Sequence, residues 1–330
     1  MKHEGATFLK LFDMHCDTLY ECYETGKHLR ENGLAIDKAK AAGYTHYAQV
    51  FALFCGAREP GYPAATPGRR CLLDVPPEKR LDMMLRTARE EFAANADWLT
   101  PCCSAAGFDA AAAQGKAAAF LGIEGADLLC YEGAVEKARD AGVRIVTITW
   151  NYENDYGTPA KLDQRRGLKP AGKALIRQLN AYGMLPDVSH LSEAGFWDVA
   201  ETSTKPFVAS HSNSRAVCGH FRNLTDAQFD ALVQAGGMAG INIYGDFVKE
   251  GGACTPDDVV RHIEHFCARG GEAHLALGAD LDGCDVLPQG IDTVADLPRI
   301  AEALLRRNYK ESTVNGIFYE NMATFLHRNL

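Results

Sequence analysis

Six side chains in this 330-residue sequence have the types that metal-assisted hydrolysis asks for: His15, Asp17, Glu124, His190, His211 and Asp280. Imidazole nitrogens and carboxylate oxygens suit zinc, and manganese or iron would also be accepted. Three such groups make one open metal site. Five, with one carboxylate shared, make two. A cation held this way acidifies water and polarises a carbonyl, which is what amide hydrolysis at neutral pH requires. Taken singly, these residues say little: a lone His such as His190 or His211 is more often a hydrogen-bonded core or surface residue.

Their placement among the secondary-structure elements is what groups them. Short apolar runs rich in β-branched or aromatic residues alternate with segments of helical period along the whole chain, the βα signature. Strands are expected at 11–16, 47–54, 117–123, 143–150, 184–188, 206–211, 238–244 and 274–280, and helices near 78–98, 132–141, 170–182, 193–201, 226–235, 256–269 and 294–307. Thr225 with Gln228 forms a capping-box pattern, and Thr255-Pro256 puts a hydroxyl at a cap and proline in the first turn. Eight strands without a linker, repeat or composition shift point to an α/β fold, a single (β/α)8 TIM barrel over residues 1–330. A doubly wound open sheet is the alternative. The Pro- and Gly-rich stretch 58–77 reads as a long loop, and the tail 314–330 as packing outside the barrel.

The six residues collect at C-terminal strand ends. His15 and Asp17 close the first strand, Glu124 follows the third, His190 the fifth, His211 the sixth and Asp280 the eighth. A barrel gathers those ends into one mouth. Side-chain alternation points His15 and Asp17 the same way and turns Cys16 toward the helices as packing. His3, His28, His46, His220, His262, His265, His274 and His327 lack this placement and read as structural.

Six segments then fall in an order that resembles the motifs of the membrane (renal-type) dipeptidase family. They are D-M-H-C-D-T-L (13–19), L-G-I-E-G-A (121–126), D-V-S-H-L-S (187–192), A-S-H-S-N-S-R-A (209–216), F-R-N-L-T-D (221–226) and L-G-A-D-L-D-G (277–283), and they span almost the whole chain. The resemblance implies an amidohydrolase-type barrel that hydrolyses dipeptides at a centre of two Zn2+ ions per chain. It makes His15 and Asp17 ligands of one zinc, His190 and His211 ligands of the other, and Glu124 the carboxylate bridging both. Asp280 matches the aspartate that shuttles a proton beside the metal-bound water, and Arg222 the arginine that holds the substrate's C-terminal carboxylate. Arginine is the natural bidentate clamp for that group. Asp282 reads either as a turn residue before Gly283 or as a support behind the ligands. Trp150, in T-I-T-W-N-Y-E-N (147–154), stands where renal-type members carry a histidine thought to contact the scissile carbonyl. Its indole N–H can donate but not accept, so it either steadies a developing oxyanion or forms an apolar wall. A homodimer is expected on the same resemblance.

The mechanism expected from this set is attack by a hydroxide bridging two ions, with Asp280 relaying its proton to the departing amine. Two other readings remain at this stage. One is another amide, lactone or β-lactam hydrolase on the same metal barrel, because fold and metal do not fix the substrate. The other is a noncatalytic metal-containing or ligand-binding protein.

Composition narrows the partners. With 34 basic against 43 acidic residues, a formal charge of −9 and no run of Lys and Arg, the chain lacks a phosphate-tracking stripe, so nucleic acid is not an expected partner. No window has 18 consecutive apolar residues, and residues 1–10 lack the apolar core of a signal peptide, so neither a membrane span nor export is expected. Eleven scattered cysteines without a C-x-x-C pair fit a reducing cytoplasm, where they act as small buried hydrophobes.

Overall fold

A computed structural model describes residues 9–54 and 75–330. Among these residues lie nine parallel strands: β1 (Lys10–Cys16), β2 (His46–Phe54), β3 (Leu99–Pro101), β4 (Ala117–Glu124), β5 (Val143–Thr147), β6 (Leu185–Asp187), β7 (Val208–Ala209), β8 (Met238–Ile241) and β9 (Leu275–Leu277). β1 lies between β2 and β9, and the order continues through β8, β7, β6 and β5 to β4. Pairing of β2 with β4 from Ala48↔Ala118 to Phe54↔Glu124 closes the ring. The closed barrel therefore has eight strands, as expected. β3 is an addition that the sequence reading lacked; it lies along the start of β4, where Leu99 pairs with Ala117.

The helices form where period and caps placed them. Thr225 and Gln228 close a reciprocal capping box at the start of the helix Asp226–Gln234, and Thr255 precedes the helix Pro256–Ala268, with its backbone N–H donating to the Asp258 carboxylate. Helices Thr18–Thr25 and Ala105–Ala113 were missed. Their short or alanine-rich sequences carry little amphipathic signal. Of the loop read at 58–77, residues 58–74 lie outside those described, and Pro77 already begins the helix Pro77–Ala94.

Two packed layers result. Leu11, Phe51, Leu121, Val146, Ile241 and Leu277 point outward to the helices. Phe12, Met14, Val50, Phe120, Ile145, Leu185, Met238 and Ala276 fill the barrel, with Phe12 and Phe120 stacked at 5.6 Å. The tail was expected outside: Val314, Ile317 and Phe318 do join the outer layer, but for its second half this is corrected. Tyr319, Met322, Phe325 and Leu326 join the interior cluster, Tyr319 lies 5.6 Å from Phe108, and Lys10 at the start of β1 pairs with Glu320 at 2.9 Å. The tail is thus the apolar floor at the N-terminal end of the barrel. The opposite end is left open for polar residues.

Strict alternation from Phe12 and Met14 would turn Cys16 into the barrel. Instead the β1–β2 register slips between Asp13 and Cys16. This irregularity reverses the phase, so Cys16 joins the outer layer with Leu11 and His15 is delivered to the mouth. The buried Asp13 carboxylate supports the slip by accepting from the N–H groups of Ala279 (2.8 Å) and His15 (3.4 Å). Burial raises its pKa to about 6.

Candidate metal centre

The barrel mouth brings five candidate ligands and Asp280 together, all buried. His15 Nε2 lies 3.7 Å from each of Asp17 Oδ2, Glu124 Oε2 and Asp280 Oδ1. Glu124 Oε1 lies 3.0 Å from His190 Nε2 and 3.5 Å from His211 Nε2. The two oxygens of one carboxylate therefore face different nitrogen sets. Two overlapping groups, His15–Glu124–His211 and His15–Asp17–Asp280, have the spacing of metal-ion sites.

β6, β7 and β9 end earlier than expected, and three of the active groups sit on the turns beyond them. β6, β7 and β9 stop at Asp187, Ala209 and Leu277, so His190, His211 and Asp280 are loop residues. Asp187 gives a physical reason for the early end. Its carboxylate accepts from the N–H of Ser189 (3.0 Å) and of Ser210 (2.9 Å), taking donors that a longer ladder would use. His190, Asp280 and Asp282 adopt left-handed backbone, with φ of 65°, 62° and 67°. Such conformations in non-glycine residues cost about 1–3 kcal/mol each and gather where a site demands them.

Two features of the donor set suit a metal ion. His15 Nε2, His211 Nε2 and Asp17 Oδ1 are buried without a hydrogen-bond partner among the described residues. Isolated polar atoms of this kind are costly unless something else binds them. A Cβ on Gly283 would lie 2.2 Å from Asp17 Oδ2 and 2.5 Å from Asp280 Oδ1, so only glycine keeps the gap between those two oxygens open. The residues fit a divalent cation.

Electrostatics agree. Burial and the neighbouring Asp17 push Glu124 well upward. Burial, opposed by His15, raises Asp280 to about 6. Burial would lower His15, but Glu124 and Asp17 outweigh it and lift the imidazole to about 10. His190 and His211 are held well below the usual imidazole range, first by burial and then by the cations Arg222 and His15. The crowded acids are only partly offset by the cationic His15 and Arg222, and the two neutral histidines are available as ligands.

The supports were only partly foreseen. Asp282 is more than a turn residue: its carboxylate accepts from Thr18 Oγ1 at 2.6 Å and from the Ala35 N–H at 2.7 Å, tying the segment after β1 to the mouth. Asn242 Nδ2 donates to Asp280 Oδ2 at 3.0 Å. Asp13, Asp187, Asn242 and Gly283 were missed, although all but Asn242 lie inside the motifs quoted above. Trp150 lines a cavity of about 350 Å³ together with Asp17, Phe54, Glu124, His190 and Asp280, and its ring is 4.9 Å from Phe54. Arg222 is buried 5.2 Å above the Phe247 ring. Its Nε and Nη2 have no hydrogen-bond partner among the described residues. Burial lowers the guanidinium to about 10, which leaves it charged at neutral pH.

The model of the membrane dipeptidase family, peptidase family M19, matches residues 4–328. The chain belongs to the membrane dipeptidase family. It is 26% identical to a metallopeptidase from Rhodobacter sphaeroides solved with a phosphinate mimic of the dipeptide L-Ala-D-Ala; the match covers 98% of this chain and 100% of that one at a TM-score of 0.84. A second solved metallopeptidase of the family, dipeptidase AC, is 27% identical over 98% of this chain and 99% of its own, at a TM-score of 0.85. A Klebsiella pneumoniae protein, described as an uncharacterized protein in the pqqA 5′ region, is 36% identical over 72% of this chain and 91% of its own. Membership makes the protein a metal-dependent dipeptidase by family. Despite the family's name, no helix among the described residues is long and apolar enough to cross a membrane.

Proposed function

We propose that this member of the membrane dipeptidase family hydrolyses the peptide bond of dipeptides at a binuclear zinc centre. His15 and Asp17 would hold one ion and His190 and His211 the other, with the Glu124 carboxylate shared between them. The observation that carries this reading is the division of Glu124, with Oε2 toward His15 and Oε1 toward His190 and His211. Zinc, when bound, supplies a water acidified to a nucleophile near neutral pH and a Lewis acid for the scissile carbonyl.

The chain's own residues do the rest. Asp280, oriented by Asn242, takes a proton from the attacking water and delivers it to the departing amine, base first and acid second. Arg222 binds the substrate's C-terminal carboxylate, for which a buried guanidinium with unpaired N–H groups is suited. Trp150, packed at a tilt against Phe54, forms an apolar wall that excludes water beside the reacting bond. The phosphinate dipeptide mimic on the Rhodobacter sphaeroides relative supports a dipeptide substrate and makes a D-residue at the second position worth testing. Free cysteines among the described residues support a cytoplasmic setting. The family resemblance supports a homodimer, which light scattering checks.

The test is elemental analysis of the purified protein together with a panel of L,L- and L,D-dipeptides, N-acyl amino acids, lactones and β-lactams. Two zinc ions per chain and turnover greatest on dipeptides are expected. Preferential turnover of lactones or β-lactams would transfer the centre to a different substrate. Full metal content with no turnover would support a noncatalytic role.

A further inference from the structure

We propose that Asp187, acting through the hydroxyl of Ser210, fixes His211 in the tautomer that leaves Nε2 free for a metal ion. The inference rests on the assignment of His211 as a ligand. Ser210 Oγ lies 2.5 Å from Asp187 Oδ2 and 2.8 Å from His211 Nδ1. An ionised carboxylate can only accept, so the single hydroxyl proton of Ser210 points at Asp187. The hydroxyl oxygen must then accept from His211, which puts the imidazole proton on Nδ1 and the lone pair on Nε2. That lone pair faces Glu124 Oε1 at 3.5 Å. With Glu124 ionised, two acceptors face each other there, an arrangement that a cation completes.

Asp187 is anchored for this task. Thr147 Oγ1 donates to the same Oδ2 at 2.6 Å, the N–H groups of Ser189 and Ser210 hold Oδ1, and the residue is fully buried. Ser189 Oγ also accepts the backbone N–H of His211 at 3.1 Å. The same logic recurs at His190, whose Nδ1 lies 3.0 Å from Asn151 Oδ1. His262 shows the opposite arrangement. Its Nδ1 accepts the Ser214 N–H at 3.1 Å and its Nε2 donates to Val248 O at 2.9 Å, so neither nitrogen is left for a metal.

Asp187→Asn reverses the polarity while keeping the shape. The new Nδ2 donates to Ser210, whose proton then turns toward His211 Nδ1 and drives the ring into the Nε2–H form. The experiment is 15N NMR of His211 in metal-free protein, paired with zinc stoichiometry and affinity. Expected are Nδ1–H in the wild type, Nε2–H in the variant, and a fall from two tightly held zinc ions to one, with the weakened site losing about ten- to a hundredfold in affinity. Ser210→Ala should weaken the same ion and Ser210→Thr should restore it, a pair that decides the matter even where Asp187→Asn fails to fold. Unchanged tautomer and unchanged zinc affinity in Asp187→Asn and Ser210→Ala would overturn the inference. A wild type that takes up no zinc would instead overturn the ligand assignment, and the tautomer measurement would still stand on its own.

Discussion

Asp17, Glu124 and Asp280 bring three carboxylates to one buried spot, and each is assigned a different duty by its neighbours. In the proposed mechanism Asp280, whose Oδ2 is held by Asn242, lies on the proton path, so Asp280→Asn should leave two zinc ions bound while kcat falls about a hundred- to ten-thousandfold; metal analysis beside steady-state kinetics checks this, and retained turnover would remove the role. Arg222→Met should chiefly raise KM for dipeptides, by about tenfold or more, because a charge-assisted clamp is worth about 1.5–3 kcal/mol. An unchanged KM would count against the clamp. Gly283→Ala should expel the ion beside Asp17, since the added carbon takes the gap between Asp17 and Asp280; zinc content falling toward one per chain is the expected result. That His15, Asp17, Glu124, His190, His211 and Asp280 gather at one mouth was legible because ionisable residues at strand ends are conspicuous. Asp13, Asp187 and Gly283 sit in the same motifs but act through backbone N–H groups, a neighbour's hydroxyl or empty space, and none of these leaves a residue-type signal.

At the scale of elements, eight barrel strands were readable from alternating apolar runs, as were the C-terminal limits of β1, β2 and β4, but the limits of β5 to β9 were not. The expected strand 206–211 is the two residues of β7, because Asp187 and Ser189 accept the N–H groups of Ser210 and His211. The slip in β1 was equally hidden: residue pattern places His15 and Cys16 on opposite faces, but only the register with β2 reveals how Met14 and His15 both reach the interior. The second half of the tail was misplaced for a related reason. Its apolar residues have helical period but their partner, the open lower end of the barrel, is not local in sequence. Phe325 is 5% exposed in that floor, so Phe325→Ala should cost about 3–5 kcal/mol of stability, read by denaturant unfolding, with zinc content unchanged in the folded fraction. A loss below 1 kcal/mol would mean the tail is not part of the core.

For the whole molecule, stability depends on pH through groups that folding strips of water. Burial depresses His262 from 6.5 to about 4, so below pH 6.5 the unfolded chain binds a proton that the folded chain refuses. Stability from this residue is present above pH 6.5 and lost as pH falls toward 4, by about 3 kcal/mol at most. Urea unfolding of metal-free wild type and His262→Gln at pH 7 and pH 4.5 should show a smaller acid loss in the variant; equal losses would contradict the assignment. The larger claim is that strand ends far apart in sequence converge to grip two cations across Glu124. Zinc-edge anomalous diffraction from crystals of the zinc-loaded protein tests it most directly. Two peaks are expected, one among His15, Asp17 and Glu124 Oε2 and the other among His190, His211 and Glu124 Oε1; a single peak, or peaks away from these atoms, would contradict it.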